Sequence, residues 1–173
     1  AKQDKDLIFV SADFGAPAFD KIRDELGGQF VNVGIAEQNM ISIASGLALE
    51  GKKTYSFAIA PFASSRCYEF TKLNAGLMKI PIKIVGVGAG FGYDDSGPTH
   101  HTTEDISIMR AIPNLKLVSP SFSKMAEAFA EISYRDDSPY YIRLDRKVLP
   151  DLSEYYAFDN FQTGFREIIS GSN

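Results

Sequence analysis

The run Ile82-Lys83-Ile84-Val85-Gly86-Val87 constrains the fold more than any other stretch of this chain. Its apolar residues are nearly continuous rather than alternating, which describes a strand covered on both faces, as in parallel sheets sandwiched by helices. Short runs rich in β-branched and aromatic residues recur along the chain. Strands are expected at 7–11, 30–33, 54–59, 82–88, 115–119 and 140–144. Helical patterns fall between them, at 17–26, 36–50, 64–78, 103–111 and 123–134. Crossovers of this length join parallel neighbours, so the expected fold is α/β, a mostly parallel sheet flanked by helices on both faces.

With 173 residues the chain suits one domain with a sizeable core. A net charge of -4, with the basic residues scattered, gives no electrostatic footprint for nucleic acid. The single cysteine, Cys67, excludes an intrachain disulfide and a cysteine-based zinc site. It also fits a reducing compartment. No leader pattern or apolar run of the roughly 20 residues that span a bilayer is evident, so a cytoplasmic location and no membrane partner are expected. Residues 1–148 read as one domain. After the break at Leu149-Pro150-Asp151, residues 149–173 read as a linker and one orphan strand at 164–170, the start of a further domain. The sequence therefore reads as cut from something larger.

The segment 36–50 carries no charge between Glu37 and Glu50. A helix apolar nearly all round is expected to be buried nearly all round. Glu37 in its first turn has two readings. One is a charge complementing the helix dipole. The other is a desolvated carboxyl group that holds a proton and shares a hydrogen bond with a ring nitrogen, which suits acid-base chemistry. The residues alone leave both open.

Gly86, Gly88, Gly90 and Gly92 follow the buried strand, but no G-x-G-x-x-G is present. They read as a tight or flexible loop at the carboxyl end of a strand, the edge where ligands bind in open α/β sheets. The loop Gly97-Pro98-Thr99-His100-His101 leads into a helix start where Thr102 and Asp105 have capping-box spacing. The adjacent histidines are not placed as a metal pair. They are either solvated or, for His100, able to donate to a developing oxyanion. Phe57, Phe62, Tyr68 and Phe70 are core residues or, for one of them, a platform under a heterocycle. Arg143 and Arg146 near the end of the last strand are surface charges or forks for a phosphate. No Ser-His-Asp set or Cys-His pair can be assembled.

Four segments occur in an order and at spacings that resemble the thiamine-diphosphate-dependent transketolase family. They are Gly34-Ile35-Ala36-Glu37-Gln38-Asn39-Met40, Gly46-Leu47-Ala48, Gly97-Pro98-Thr99-His100 and Arg110-Ala111-Ile112-Pro113-Asn114. The resemblance covers about residues 7–147, the pyrimidine-binding middle domain, as found in the carboxyl-terminal subunit of a split transketolase. It extends to 1-deoxyxylulose-5-phosphate synthase and, more distantly, to the β subunits of 2-oxoacid dehydrogenases. It implies transfer of a two-carbon ketol unit between sugar-type substrates. Glu37 would be the carboxyl group bonded to the aminopyrimidine, Ile35 the prop under the bent cofactor, and Phe62 or Phe57 the stacking ring. Asp13 would line the same cleft. His100 would contact the substrate oxygen near the reacting carbon, and Arg146 would grip a sugar phosphate.

Two departures stand out. Ser96 takes the place of a substrate-binding aspartate, and Gly88 that of a second substrate histidine. They imply a different donor or acceptor from that of pentose-phosphate transketolase. The resemblance also implies an amino-terminal partner subunit holding the diphosphate and Mg²⁺ through a Gly-Asp-Gly…Asn signature. The all-round apolarity and small residues of the helix at 36–50 suggest a homodimer through it, and without the partner subunit the isolated chain is expected to be inactive. The competing expectations are a β-type subunit of a 2-oxoacid decarboxylating enzyme and a non-catalytic interaction domain of the same fold.

Overall fold

The computed structural model describes residues 4–12 and 19–152. Strands β1 (Leu7–Ser11), β2 (Phe30–Asn32), β3 (Lys53–Ile59), β4 (Lys83–Val87), β5 (Lys116–Val118) and β6 (Tyr140–Leu144) form one sheet. Their order is β2-β1-β3-β4-β6-β5, and every pairing is parallel. The helices are α1 (Asp20–Leu26), α2 (Glu37–Leu49), α3 (Ala60–Ala63), α4 (Tyr68–Thr71), α5 (Asp105–Arg110) and α6 (Ser123–Arg135).

The two-residue period of the strands sorts side chains onto two faces. Val10, Ala58, Ile82, Ile84 and Tyr141 join Met40, Ile41 and Ala44 of α2 in one core. Phe57, Val85, Tyr140 and Ile142 join Phe19 and Val118 in the other. The largest of these side chains, each removed from water, contribute about 1.5–3 kcal/mol apiece. The expected helix-covered parallel sheet is thus observed, and β4 is buried along nearly its whole length. Strands 7–11 and 140–144 match to the residue. The lysine within β4 is the surprise: Lys83 is 4% exposed.

Three expectations need correction. The helix α2 is not buried all round within this chain. It buries Met40, Ile41, Ala44, Ser45 and Ala48 but leaves Ser42, Gly46 and Leu49 open. The single helix expected at 64–78 is broken. Pro61 starts α3 early, and Ser64 closes it by donating to the Ala60 carbonyl at 2.6 Å. A turn follows, then α4 and a π-helical segment, Lys72–Leu77. The capping box at Thr102 and Asp105 does not form. Glu104 occupies the N-cap with no side-chain cap, and Asp105 bonds elsewhere. The orphan strand at 164–170 lies outside the described residues.

Candidate active site

The carboxyl ends of all six strands lie along one edge, and the strand order reverses there between β1 and β3. That reversal opens a crevice in doubly wound sheets. Four loops meet at this edge, after β2, β3, β4 and β6.

The loop after β2 delivers Glu37. Gly34 takes a φ of +73°, a conformation glycine adopts without a Cβ penalty. Its N–H is held by Asn32 Oδ1 at 2.9 Å, and Ala36 N–H bonds the Gly34 carbonyl at 2.7 Å. This tight turn starts α2 with Glu37, which is 4% exposed. A buried carboxylate requires a partner. Arg66, in the turn after α3, supplies it: Nη1 donates to Glu37 Oε2 at 2.8 Å.

The same guanidinium lies over the Phe62 ring, 4.5 Å from its centroid. Phe62 is half-buried, and its ring meets the His100 ring edge-on at 5.2 Å. Thr99 Oγ1 and His100 Nδ1 are 3.0 Å apart. Behind Phe62, Cys67 is fully buried and donates to the Phe62 carbonyl at 3.1 Å. Burial, with the Glu37 charge adding to it, pushes its thiol up to about 12. It is a packing residue, not a nucleophile.

The loop after β4 closes on itself. Gly88 has a φ of +92°, and a Cβ there would stand 2.2 Å from the Tyr93 ring. Tyr93 therefore fills the space that any larger residue at 88 would take. Arg146 lies over the other part of this cluster, 4.4 Å from the Tyr93 centroid, and donates to Asp95 at 2.6 Å. The Arg146 bond holds the Asp95 carboxyl below its ordinary range. Ser96 is exposed and its hydroxyl donates to the same carboxylate. Beneath the histidine loop, fully buried Asp105 accepts from Tyr141 Oη at 2.9 Å and Arg143 Nε at 2.7 Å. Burial and the Asp105 charge raise the Tyr141 phenol. This set ties α5 to β6 and fixes the floor under the loop.

The structure therefore gathers Glu37, Phe62 and His100, with Arg146 and Ser96 on the adjoining loops. Ile35 stands at the same edge, 77% exposed. Phe57 is not brought there. It projects to the opposite sheet face, edge-on to Phe19 at 4.5 Å and against Phe9. Its strand parity, shared with Tyr55 rather than Ala58, was the signal for that. Asp13 lies outside the described residues. Arg66, Tyr93 and Asp105 were not singled out as site residues by the sequence.

A helix-covered parallel sheet with a buried carboxylate, an aromatic ring and a histidine at the carboxyl edge of its strands has a candidate ligand-binding edge of the kind open α/β sheets carry. Residues 1–151 match the family described as transketolase, pyrimidine binding domain, and the chain belongs to that family. It is 34% identical over 163 residues to one of the subunits of apulose-4-phosphate transketolase from Phocaeicola vulgatus, covering 94% of this chain and 51% of that protein. It is also 34% identical over 149 residues to the SqwH polypeptide of 6-deoxy-6-sulfo-D-fructose transketolase from Clostridium sp. (strain MSTE9), covering 85% of this chain and 46% of that one. Among solved structures, a split gene transketolase described as an inactive β4 tetramer superposes with a TM-score of 0.77 at 27% identity. That match covers 87% of this chain and 48% of the other. The chain spans about half the length of the curated relatives it matches. No helix among the described residues is long and apolar enough to cross a membrane.

Proposed function

We propose that this chain supplies the pyrimidine-side half of a thiamine-diphosphate site in a two-subunit transketolase-like enzyme that transfers a two-carbon ketol unit between sugar-type substrates. One observation carries this reading: a carboxylate closed off from water, Glu37, faces a planar N–H donor that lies against Phe62. An aminopyrimidine ring requires the same two contacts, an acceptor at its edge and an aromatic face beneath it. The described residues fit that group. When bound, thiamine diphosphate supplies the carbon nucleophile for the transfer.

Glu37 holds or releases a proton at the edge of the ring, and its burial keeps water from competing for that hydrogen bond. Phe62 fixes the plane of the ring. Ile35, open on this chain alone, props the cofactor from beneath. His100 donates to the substrate oxygen near the reacting carbon, and its ring is kept edge-on by Phe62. Arg146 binds the far, anionic end of the sugar once Asp95 gives way. The diphosphate and Mg²⁺ are assigned to an amino-terminal partner subunit, following the arrangement in the family. The relatives named for apulose 4-phosphate and 6-deoxy-6-sulfofructose both support a sugar bearing an anionic terminus.

The open stripe of α2 and its neighbours supports a second interface. Leu49, Leu73, Leu77 and Met78 are exposed, each by 47% or more, and Gly46 and Ser42 let a facing backbone approach closely. A second copy of this chain packed along α2 would bury them. A sedimentation profile showing a single copy of this chain per partnered complex at high concentration would exclude it.

The test of the main reading is to combine the full-length protein with a diphosphate-binding partner and follow two-carbon transfer with added thiamine diphosphate. Activity that depends on the cofactor and falls at least about a hundredfold in Glu37→Gln is expected. Transfer that survives Glu37→Gln unchanged would end the assignment.

A further inference from the structure

The ion pair between Glu37 and Arg66 differs from an ordinary surface pair in what each partner can do. The Glu37 side chain is 5% exposed and starts a helix, so it stays where it is. The Arg66 side chain is 42% exposed and reaches in from a turn between two short helices. Its guanidinium is a flat group with N–H donors on its edge and a face that packs on aromatic rings. Both properties are used here, the edge on Glu37 and the face on Phe62. A flat group hydrogen-bonded to Glu37 and stacked on Phe62 stands in the volume that the reading above gives to the aminopyrimidine ring. Two planar groups cannot share one acceptor edge and one aromatic face.

We propose that the Arg66 side chain occupies the pyrimidine slot of the free subunit and must swing out when the cofactor enters, so that the Arg66–Glu37 pair and cofactor binding exclude one another. The inference rests on the function proposed above and adds a self-filled, competitive state to it. Arg66 keeps the buried carboxylate paired, and the slot ordered, before the cofactor arrives. Its half-exposed stem gives it a path to solvent without unfolding any strand or helix. The affinity measured for the cofactor is then its intrinsic affinity reduced by the fraction of subunits with the slot filled.

The experiment is calorimetric titration of thiamine diphosphate, at fixed Mg²⁺, into the full-length protein in complex with its diphosphate-binding partner. Wild type is compared with Arg66→Ala, Arg66→Gln and Glu37→Ala. Losing one half-exposed ion pair and one ring contact from the free state should tighten cofactor binding by about tenfold in both Arg66 variants. Millimolar guanidinium chloride should weaken binding to Arg66→Ala far more than to wild type, because only the truncated side chain leaves the slot open to it. Wild-type or weaker affinity in both Arg66 variants would overturn the proposal, since Arg66 would then be neutral or part of the bound state. If one variant does not fold, as judged by circular dichroism, the other decides. A wild-type complex that binds no cofactor would instead remove the function reading itself, and the inference with it.

Discussion

Lys83 at one end of the strands and Glu37 at the other are both buried charges, and the molecule treats them in opposite ways. At the amino edge, Lys83 donates to the carbonyls of Asp136 and Ser138 at 2.7 and 2.6 Å. Around it, Lys116 and Tyr140 both bond the Asp136 carboxylate, and Lys53 lies over the Tyr134 ring. Together, the Lys116 and Tyr140 bonds hold the Asp136 carboxyl well below the usual range. Every partner of Lys83 is backbone or fixed by a neighbour. At the carboxyl edge, Glu37 has one side-chain partner among the described residues, and that partner reaches into solvent. The first arrangement pins the loop between α6 and β6. The second leaves a buried acceptor that another ligand can take. A buried charge is therefore diagnostic of a site only when its partner is free to leave.

The sharpest way to break this comparison is to neutralise each buried charge in turn. Glu37→Gln should lower two-carbon transfer by about a hundredfold or more while moving the melting temperature little, read by steady-state assay and calorimetry on the same preparation. An equal loss of stability would make Glu37 a structural charge like Lys83. Gly88→Ala should come next. Its Cβ meets a ring carbon of Tyr93, and φ is positive, so a cost of about 1–3 kcal/mol is expected. Displacement of Tyr93 and Arg146 should raise the KM for an anionic sugar more than it changes the KM for the cofactor.

Lys83→Met should destabilise by about 1–3 kcal/mol, because two buried carbonyls lose their donor. Activity per folded molecule should be kept. The smallest effect is the pH dependence of that difference. Burial pushes the Lys83 ammonium down to about 8, against about 10.4 for a free lysine. Between these values the unfolded chain holds a proton that the folded chain has lost. This group's contribution to stability therefore rises with pH across the window and is constant below it. The gap between wild type and Lys83→Met should widen by up to about 1 kcal/mol per pH unit above pH 8, measured by urea melts. Comparing the two proteins cancels the opposing effect of Cys67, whose raised thiol lowers stability as pH rises. A flat or narrowing gap would mean that Lys83 stays charged in the fold.

Much of the scaffold was legible because it is written in local pattern. The continuous apolar run of β4 announced burial on both faces, and the uncharged α2 announced a helix. Pro61 at the first helical positions could have moved the start of α3 to Ala60. The break after it could not be read, because Ser64 is bonded to a carbonyl four residues back with no Gly or Pro to mark the stop. Glu37 and His100 were singled out through a resemblance in spacing, and the fold brings both to one edge. Arg66 was not, because its meaning lies in two contacts made across a turn and across the chain. Asp105 was misread for the same reason. Its helix-start spacing suggested a cap, while its actual partners, Tyr141 and Arg143, come from a strand far along the sequence.

The strand order also dictates how the fold assembles as the chain is synthesised. The last of the described strands to emerge, β6, inserts between β4 and β5, and it joins them. Until Tyr140–Leu144 is available, the open side of β4 presents unpaired backbone groups, and β5 has no strand to dock on. The histidine loop also lacks its floor until then, since Asp105 waits for Tyr141 and Arg143 on that strand. Closure of the sheet and completion of the candidate site's edge thus both depend on one non-local pairing, a kind of contact whose loop-closure cost slows folding.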